Sequence, residues 1–319
     1  MSINNQNKPK LIILTGPTAV GKTALSIKLA KAVNGEIISA DSIQVYKHLN
    51  IGSAKITEQE MQGVRHHLID ILEPDEMFNV SEFKNLANAA IEDIYSRGKI
   101  PIIAGGTGFY IQAVLKDVDF TENKDNGYRA YLEKLATLKG NDYLYEMLLE
   151  TDPESTKTIH KNNVKRVIRA LEFFHQTGIK ISEHNSIEKD RKTKYNYAYF
   201  VLMCNRQLLY DRIEKRIDIM INDGLIDEVR SILELYHVTK DMTSMQGLGY
   251  KEILQYLNGE ITLEEAIYIL KRDTRHFAKR QITWFNRETD VIHIDKDILT
   301  TEEKQLDYML SVLKEKRIL

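Results

Sequence analysis

The sequence predicts an α/β fold: a parallel sheet core with helices on both faces, interrupted by a helical insertion domain. A glycine-rich segment, Gly16–Thr23, lies between a short apolar strand and a helix. Strand and helix patterns then alternate to about residue 115, which indicates a doubly wound parallel sheet. The alternation lapses from about 119 to 194 and resumes with an apolar strand. We therefore predict three segments: a first core part (1–120), a helical insertion (121–194) and a second core part (195–319).

Composition limits the class of protein. The chain has 319 residues, of which 43% are hydrophobic and 28% charged, and this is ordinary for a soluble globular protein. No apolar run approaches the roughly 18–20 residues that span a bilayer, and the polar start Met1–Lys10 lacks a signal-peptide core. We expect a cytoplasmic protein without a membrane segment. Cys204 is the only cysteine, which excludes intrachain disulfides and cysteine-based zinc sites.

The segment Gly16-Pro17-Thr18-Ala19-Val20-Gly21-Lys22-Thr23 fits the P-loop pattern G-x-x-x-x-G-K-[ST]. The apolar run Leu11–Leu14 precedes it, and apolar residues at helical spacing follow it. Backbone N–H groups and a helix N-terminus in this setting bind phosphate oxygens. Lys22 would add charge, and the Thr23 hydroxyl could hold Mg²⁺. The alternative is a chance glycine turn, and the context favours a P-loop that binds phosphate or pyrophosphate.

Charge is unevenly distributed. Residues 155–216 contain 14 Lys and Arg against 6 Asp and Glu, although the whole chain has a net charge of −2. A basic centre in a mildly acidic protein favours a polyanionic partner larger than a nucleotide. A solvated charged surface is the alternative.

A carboxylate follows the second predicted strand, residues 36–40. Asp41 comes next, followed by Ser42, Ile43 and Gln44. Ligands of open α/β sheets bind beyond the carboxyl ends of the strands, so Asp41 should face the phosphate loop. It could act as a general base or contact Mg²⁺ through water. The alternative is that it only caps the next helix.

Other motifs accompany the next strand. His66-His67 could suggest a metal, but adjacent side chains point apart, so we prefer structural or substrate-side histidines. Ser81 is the predicted N-cap of the helix that carries Phe83 and Ile94. The strand at 100–104 ends in the second glycine-rich turn, Gly105-Gly106-Thr107-Gly108. Two such turns at one sheet edge indicate an extended cleft.

Basic residues cluster on helical faces. Within the insertion, Lys165, Arg166 and Arg169 share one face, as contact with a phosphate backbone would require. After the returning strand at 199–203, Arg212 and Arg216 at i, i+4 suit capture of a phosphate group, with salt bridging as the alternative. The helical stretch Lys271–Arg287 is also basic.

The ordered series of motifs resembles the bacterial tRNA dimethylallyltransferase family, also called tRNA isopentenyltransferases, over essentially the whole chain. The motifs that carry the resemblance are Gly16–Thr23, Asp41-Ser42-x-Gln44-x-Tyr46, Gly105–Gly108, Arg166-x-x-Arg169-Ala170-Leu171-Glu172, Gly249-Tyr250-Lys251-Glu252 and Ala278-Lys279-Arg280-Gln281-x-Thr283-Trp284-Phe285.

The resemblance implies transfer of a dimethylallyl group from its diphosphate to N6 of adenosine 37 in tRNA. It implies that the Gly16–Thr23 loop holds the diphosphate with Mg²⁺, and that Lys22 and Arg216 stabilise the leaving group. Asp41 would accept the proton of the amine. We expect the adenosine to be flipped out and the protein to be a monomer. The predicted tRNA contacts are Asp41, Ser42, Ile43, Gln44, Thr107, Arg129, Lys165, Arg166, Val167, Ile168 and Arg169.

Three other activities share some of these features. A nucleoside kinase would use the same loop for ATP but would leave the basic insertion without a role. An isopentenyltransferase acting on free adenine nucleotides meets the same objection. An RNA-binding module without activity would not explain Asp41 beside the phosphate loop.

Overall fold

The computed structural model of the protein describes residues 8–120, 127–189 and 191–319. It divides into two compact units. The first comprises Met1–Leu115 and Lys194–Leu319, and the second comprises Lys116–Thr193. These divisions lie a few residues from the predicted ones. The predicted boundary after residue 120 borders the segment 121–126, which lies outside the described residues.

A fully parallel sheet forms the centre of the first unit, as predicted. Within the described residues it has six strands in the order β3-β2-β4-β1-β5-β6. Their bounds are β1 Lys10–Thr15, β2 Gly35–Ala40, β3 His66–His67, β4 Ile100–Gly105, β5 Asn196–Met203 and β6 Val291–Asp295. The sequence patterns predicted β1, β2, β4 and β5 but not the edge strands β3 and β6, which are short or carry few buried side chains.

The central strand β1 explains why the apolar run at 11–14 is continuous. β1 pairs in parallel with β4 on one side and β5 on the other. All four side chains from Leu11 to Leu14 are fully buried. Helices cover both faces of such a sheet, so neither side of the strand meets water. The phosphate loop, which follows β1, is therefore attached to a buried strand that is paired on both sides.

Four helices belong to the first unit before the insertion: α1 Lys22–Ala32, α2 Glu58–Met61, α3 Val80–Ser96 and α4 Gly108–Leu115. The predicted cap of α3 is wrong. Asn79, not Ser81, is its N-cap, and the Asn79 side chain accepts hydrogen bonds from the amides of Ser81 and Glu82. Glu82 completes a capping box by accepting the Asn79 amide at 2.9 Å.

The second unit is helical, as predicted. Its helices are α5 Tyr128–Lys139, α6 Asn141–Thr151, α7 Pro153–Thr156, α8 Val164–Thr177 and α9 Ile181–Lys189. They have their own core, which includes Leu132, Leu144, Leu148, Val167, Ile168 and Leu171. Among the apolar residues of α5, Leu132 is buried, whereas Tyr131 and Leu138 are exposed.

The chain then returns to the first unit through β5 and adds five helices: α10 Arg206–Asn222, α11 Leu225–Leu235, α12 Tyr250–Leu257, α13 Leu263–Phe285 and α14 Glu302–Glu315. α10 contributes Ile213 and Ile217 to the core of this unit. Among the described residues, no helix is both long and apolar enough to cross a membrane.

Candidate active site

A cavity of about 430 Å³ lies beside the carboxyl ends of β1, β2 and β4. Its walls come from the first unit alone: from the two glycine-rich turns, the segments after β2, and helices α10, α12 and α13. Its polar and charged lining residues include Thr18, Lys22, Asp41, Ser42, Thr107, Arg216, Lys251, Arg280 and Gln281. Its apolar lining residues include Ile43, Ile213, Ile217, Met220, Leu248, Leu270 and Phe277.

The phosphate loop joins β1 to α1. The left-handed backbone at Gly21, with φ of 96°, begins α1 and favours glycine at this position. Lys22 folds back over the loop, and its Nζ donates to the carbonyl oxygens of Gly16 at 2.9 Å and Pro17 at 2.8 Å. These bonds hold the cation beside the loop.

The environment of Lys22 weakens its hold on its proton. Burial lowers the pKa of Lys22 to about 8. The charge of Asp41 opposes this shift, and the nearby Arg216 guanidinium adds to it. Because a buried cation without a full counter-charge is costly, the cavity favours an incoming anion.

Asp41 caps the turn after β2 and also lines the cavity, and its role as a general base stays a prediction. Its Oδ1 accepts the amides of Ile43 at 2.9 Å and Gln44 at 3.2 Å, which is a capping arrangement. The same side chain lines the cavity with Lys22 and Arg216. Oδ2 makes no hydrogen bond to any described residue. A fixed carboxylate with one available oxygen can accept a proton or a hydrogen bond from a ligand.

The two arginines of α10 have different surroundings. Arg216 lines the cavity and forms no ion pair within the described part of the chain. Its burial lowers its pKa, while Asp41 and then Glu60 oppose that shift. Arg212 is exposed; burial and then the charge of Arg212 lower the pKa of Lys296, whose Nζ donates to the phosphate-loop carbonyl of Val20 at 3.0 Å. Of the two predicted phosphate-binding arginines, Arg216 alone is among the cavity-lining residues, and capture of one phosphate by the pair stays a prediction.

The second glycine-rich turn is tied to the phosphate loop by Gln281 of α13. Its Oε1 accepts the Thr18 amide at 2.9 Å, and its Nε2 donates to the Gly106 carbonyl at 2.9 Å. A Cβ at Gly106 would lie only 2.4 Å from that Nε2, so a larger residue there would displace the Gln281 side chain from these bonds. Thr107 lines the cavity beside this turn. Although the motif Ala278–Phe285 contains Gln281, sequence reasoning did not assign it to the site.

Sequence reasoning also missed the loop at residues 50–54. Gly52, Ser53 and Ala54 line the cavity, facing residues that follow β2. The Gln44 side chain donates to the carbonyls of Ser53 at 3.3 Å and Ala54 at 3.4 Å. Apart from Gly52, no local sequence pattern indicates that residues 50–54 contact the residues that follow β2.

The predicted tRNA-contact residues of the second unit have different surroundings. Lys165 and Arg166 are exposed on α8, whereas Val167 and Ile168 are buried in the core of the unit. The side chains of those two residues therefore pack inside, which removes them from the predicted contact surface. Arg169 is half-buried and pairs with Glu172 at 3.3 Å.

Glu172 also binds the other predicted contact. Arg129 donates to its two carboxylate oxygens at 3.2 and 2.7 Å. Because Glu172 is buried and shared by two arginines, it holds both guanidinium groups beside the middle of α8. The basic side chains of α8 thus differ. Within the described residues, Lys165 and Arg166 form no ion pair, whereas Arg169 is paired with Glu172.

The histidine pair serves the sheet. His67 Nε2 lies 2.8 Å from Glu36 Oε2, and His66 Nδ1 lies 2.9 Å from the Val64 carbonyl oxygen. Arg97 and Lys99 also bind Glu36, at 2.7 and 2.9 Å. Together these groups tie β3 and the start of β4 to β2, away from the cavity.

The donor groups present at the phosphate loop suit Mg²⁺ bound together with a diphosphate. Among the described residues, no cluster of three His, Cys, Asp or Glu side chains could hold a metal ion alone. Thr23 is exposed at the first turn of α1 and is not among the cavity-lining residues, whereas Asp41 contributes a carboxylate to the lining. Mg²⁺ commonly keeps waters and takes most remaining ligands from substrate phosphates, so one or two protein oxygens suffice.

Comparison with known proteins gives consistent matches along the chain. A protein-family model described as IPP transferase matches residues 44–288. The tRNA dimethylallyltransferase of Lachnoclostridium phytofermentans is 56% identical over 310 residues, which cover 97% of this chain and 99% of that protein.

Two solved structures extend the comparison. The tRNA isopentenylpyrophosphate transferase of Bacillus halodurans is 42% identical, with a TM-score of 0.72 over 97% of this chain and 98% of its own. A eukaryotic dimethylallyltransferase described as acting on tRNA is 31% identical, with a TM-score of 0.79 over 97% of this chain and 79% of its own.

Proposed function

We start from the fact that the chain belongs to the IPP transferase family, and we propose that it transfers a dimethylallyl group from dimethylallyl diphosphate to N6 of adenosine 37 in tRNA, releasing pyrophosphate. The relatives named above support a transferase acting on tRNA. One observation carries the assignment of the site: a phosphate loop, four basic side chains, a carboxylate and an apolar wall surround one cavity.

The diphosphate would bind at the loop Gly16–Thr23. The helix α1 begins within this loop, and Lys22 and Arg216 are the basic lining residues whose charges interact with Asp41. Negative charge grows on the diphosphate as its bond to carbon breaks. Cations already in place therefore stabilise the transition state more than the bound substrate.

The dimethylallyl group would lie against the apolar wall. Ile213, Ile217 and Met220 come from one side of α10, and Leu270 and Phe277 come from α13. A branched five-carbon group buries its surface there, which is favourable by about 25 cal/mol per Å² of apolar area. The same wall keeps water from the reacting carbon, which limits hydrolysis.

Asp41 would act on the acceptor amine. The N6 lone pair attacks the allylic carbon, the bond from that carbon to the diphosphate oxygen breaks, and pyrophosphate leaves with the electron pair. The amine nitrogen then loses one proton, which the available Oδ2 of Asp41 accepts. Its Oδ1 is fixed by two amides, so the carboxylate is already oriented.

Mg²⁺ fits this arrangement as a partner of the diphosphate. When bound, it would neutralise part of the charge of the leaving group. Thr23 would hold it through its hydroxyl, and Asp41 is the carboxylate among the cavity-lining residues.

The tRNA would contact both units. Thr107 and the residues after β2, Asp41 to Gln44, lie at the cavity, where a flipped adenosine must enter. In the second unit, Lys165, Arg166 and Arg169, together with Arg129, offer charges to the phosphate backbone. The kinase and free-nucleotide alternatives are not favoured, because the names of the relatives reported above describe transferases that act on tRNA.

A transfer assay tests the proposal. Purified protein with Mg²⁺ and dimethylallyl diphosphate is offered unmodified tRNA, AMP or ATP, and both pyrophosphate and dimethylallyl adenosine are measured. We expect product only with tRNA, at one pyrophosphate per modified adenosine. A preference for AMP or ATP, or phosphate transfer from ATP to a nucleoside, would overturn the assignment.

A further inference from the structure

A carboxylate on α11 organises one wall of the cavity from outside. Glu228 Oε2 accepts the amides of Asn50 at 2.9 Å and Ile51 at 2.8 Å. Its Oε1 accepts the Gly52 amide at 3.1 Å and the Tyr250 hydroxyl at 2.7 Å. Four donors thus converge on one side chain that is not among the cavity-lining residues.

The loop that Glu228 holds, residues 50–54, reaches the cavity with its other side. Gly52, Ser53 and Ala54 are lining residues, and Ala54 has a left-handed backbone with φ of 47°. Such a backbone conformation in a residue other than glycine is unfavourable, so surrounding bonds must maintain it. The last of the three amides bound to Glu228, that of Gly52, is only two residues before Ala54.

Tyr250 connects the same carboxylate to a second wall. The tyrosine is fully buried at the start of α12, directly after the lining residues 247–249. A Cβ on Gly52 would lie 2.6 Å from the Tyr250 ring, so the loop and the ring are in close contact. Burial and the charge of Glu228 raise the pKa of this phenol, which therefore stays a hydrogen-bond donor.

The loop in turn supports the segment that carries Asp41. Gln44 donates its side-chain amide to the Ser53 and Ala54 carbonyls, and its own backbone amide binds Asp41 Oδ1 at 3.2 Å. A continuous set of hydrogen bonds thus runs from Glu228 through the loop to the Asp41 carboxylate.

We propose that Glu228 is a positioning residue for the acceptor side of the site: it fixes loop 50–54 and, through Gln44, the orientation of Asp41 towards the adenosine. This inference rests on the proposed function. The phosphate loop shares no hydrogen bond with Glu228, so binding of the allylic diphosphate should not depend on it. The expected effect is confined to the reaction with tRNA.

The test compares Glu228→Gln with Glu234→Gln. Glutamine keeps the size of the side chain but replaces one acceptor oxygen with a donor, which leaves two of the four donors without an acceptor. Glu234 lies on the same helix, is exposed and makes no hydrogen bond to a described residue, so it is a matched control.

We expect Glu228→Gln to lower kcat/KM for tRNA about ten- to hundredfold, while the Kd for dimethylallyl diphosphate measured without tRNA changes less than about twofold. Glu234→Gln should match the wild type in both. Equal behaviour of the two variants would overturn the inference. So would a parallel loss of diphosphate binding, since that outcome indicates general damage to the fold.

Two further measurements keep the test decisive. If Glu228→Gln folds poorly, Tyr250→Phe removes one of the four donors, and we expect a smaller loss of the same kind. Amide hydrogen exchange at residues 50–52 needs no substrate and should be faster in Glu228→Gln than in Glu234→Gln. Unchanged exchange overturns the inference even if the proposed activity itself proves wrong, whereas an inactive wild type with faster exchange would reject the proposed function alone.

Discussion

Asp41 uses its two carboxylate oxygens differently. Oδ1 holds the backbone of residues 43 and 44, and Oδ2 is left for a ligand. Single residues of this kind determine whether the cavity is a catalytic site or only a binding site. The predictions at this scale therefore change one functional group at a time.

The substitution Asp41→Asn separates the two roles of the residue. Asparagine retains an oxygen for the amides of Ile43 and Gln44 but cannot accept a proton. We expect kcat with tRNA to fall about 10²- to 10⁴-fold, as is typical for loss of an acid–base group. Binding of tRNA should change little. Turnover close to that of the wild type, measured as pyrophosphate release, would mean that Asp41 only caps the turn.

The charge of Lys22 should appear in the pH profile. Its pKa is lowered to about 8 by burial, so the free enzyme loses this cation as the pH rises through about 8. Since the diphosphate needs the charged form, kcat/KM for dimethylallyl diphosphate should fall above that pH. Lys22→Arg keeps its charge and should lack this alkaline decline, at a lower overall rate. A wild-type profile that stays level to pH 10 would contradict the assignment of Lys22.

At the scale of elements, strands and helices are joined by a few buried polar groups. Glu36 of β2 is nearly fully buried and binds His67, Arg97 and Lys99, which belong to β3 and to the connection between α3 and β4. α8 provides the other example, since Glu172 holds Arg129 of α5 and Arg169 together.

Replacing Glu36 should alter stability and its dependence on pH. Although burial opposes ionisation, Arg97, Lys99 and His67 together lower the pKa of Glu36 to about 2. The folded pKa is thus below the unfolded one, so the stabilisation is complete above about pH 4.5 and is lost as the pH falls towards 2. We expect Glu36→Gln to lower the free energy of unfolding by about 2–3 kcal/mol at pH 7 and to flatten its acid dependence. Urea unfolding at pH 7 and at a pH near 2 measures both effects, with the exposed Glu92→Gln on α3 as control. Equal free energies of unfolding for Glu36→Gln and Glu92→Gln at both pH values would refute the prediction.

Substitutions of Lys165 and Arg169 on α8 should change a different kinetic parameter from substitution of Arg216. Lys165→Ala and Arg169→Ala should raise the KM for tRNA several-fold with little change in kcat, because a phosphate contact contributes similarly before and during reaction. Arg216→Ala should instead lower kcat, since its charge matters most as pyrophosphate departs. Lys304→Ala on α14 is the control for a lost surface charge. Unchanged tRNA affinity in both α8 variants would show that this helix is not an RNA contact.

For the whole molecule, charge is divided between two kinds of surface. Lys22 and Arg216 are partly buried at the cavity of the first unit, whereas the second unit exposes Lys165 and Arg166. The basic helix α13 contributes less exposed charge than its sequence suggests. Lys271 pairs with Asp218 at 2.5 Å, Arg272 with Asp273 at 2.8 Å, and Arg275 with Glu214.

Salt should therefore distinguish the two substrates. Log affinity for tRNA should fall with log salt by about 0.7 for each single-stranded phosphate that is neutralised. Arg169→Ala should flatten that slope by roughly one contact, and Arg275→Ala by less, since its charge is already paired. Affinity for dimethylallyl diphosphate should respond weakly because enclosed charges are little screened. Equal slopes in titrations of the two substrates would contradict separate binding surfaces.

The sequence by itself determined the parallel α/β core, the helical insertion and the family, and the comparisons confirm the fold and the family. It could do so because these features rest on local patterns: the apolar run before Gly16, the glycines that a phosphate loop needs, and helical spacing in the insertion. Asp41, Lys22 and Arg216 were predicted for the same reason, since strand ends and helix faces are readable along the chain, and their roles stay predictions.

Only the tertiary structure decided which distant groups meet. Gln281 lies 263 residues from Thr18 in the chain, and Glu228 lies 178 residues from Asn50, yet each pair shares a hydrogen bond. Local sequence patterns likewise did not predict the pairing of Arg275 with Glu214, the burial of Val167 or the position of Arg212 outside the cavity lining. Charge and spacing show what a side chain can do, but its partner depends on how helices pack against the sheet, and packing brings together residues that no local pattern connects.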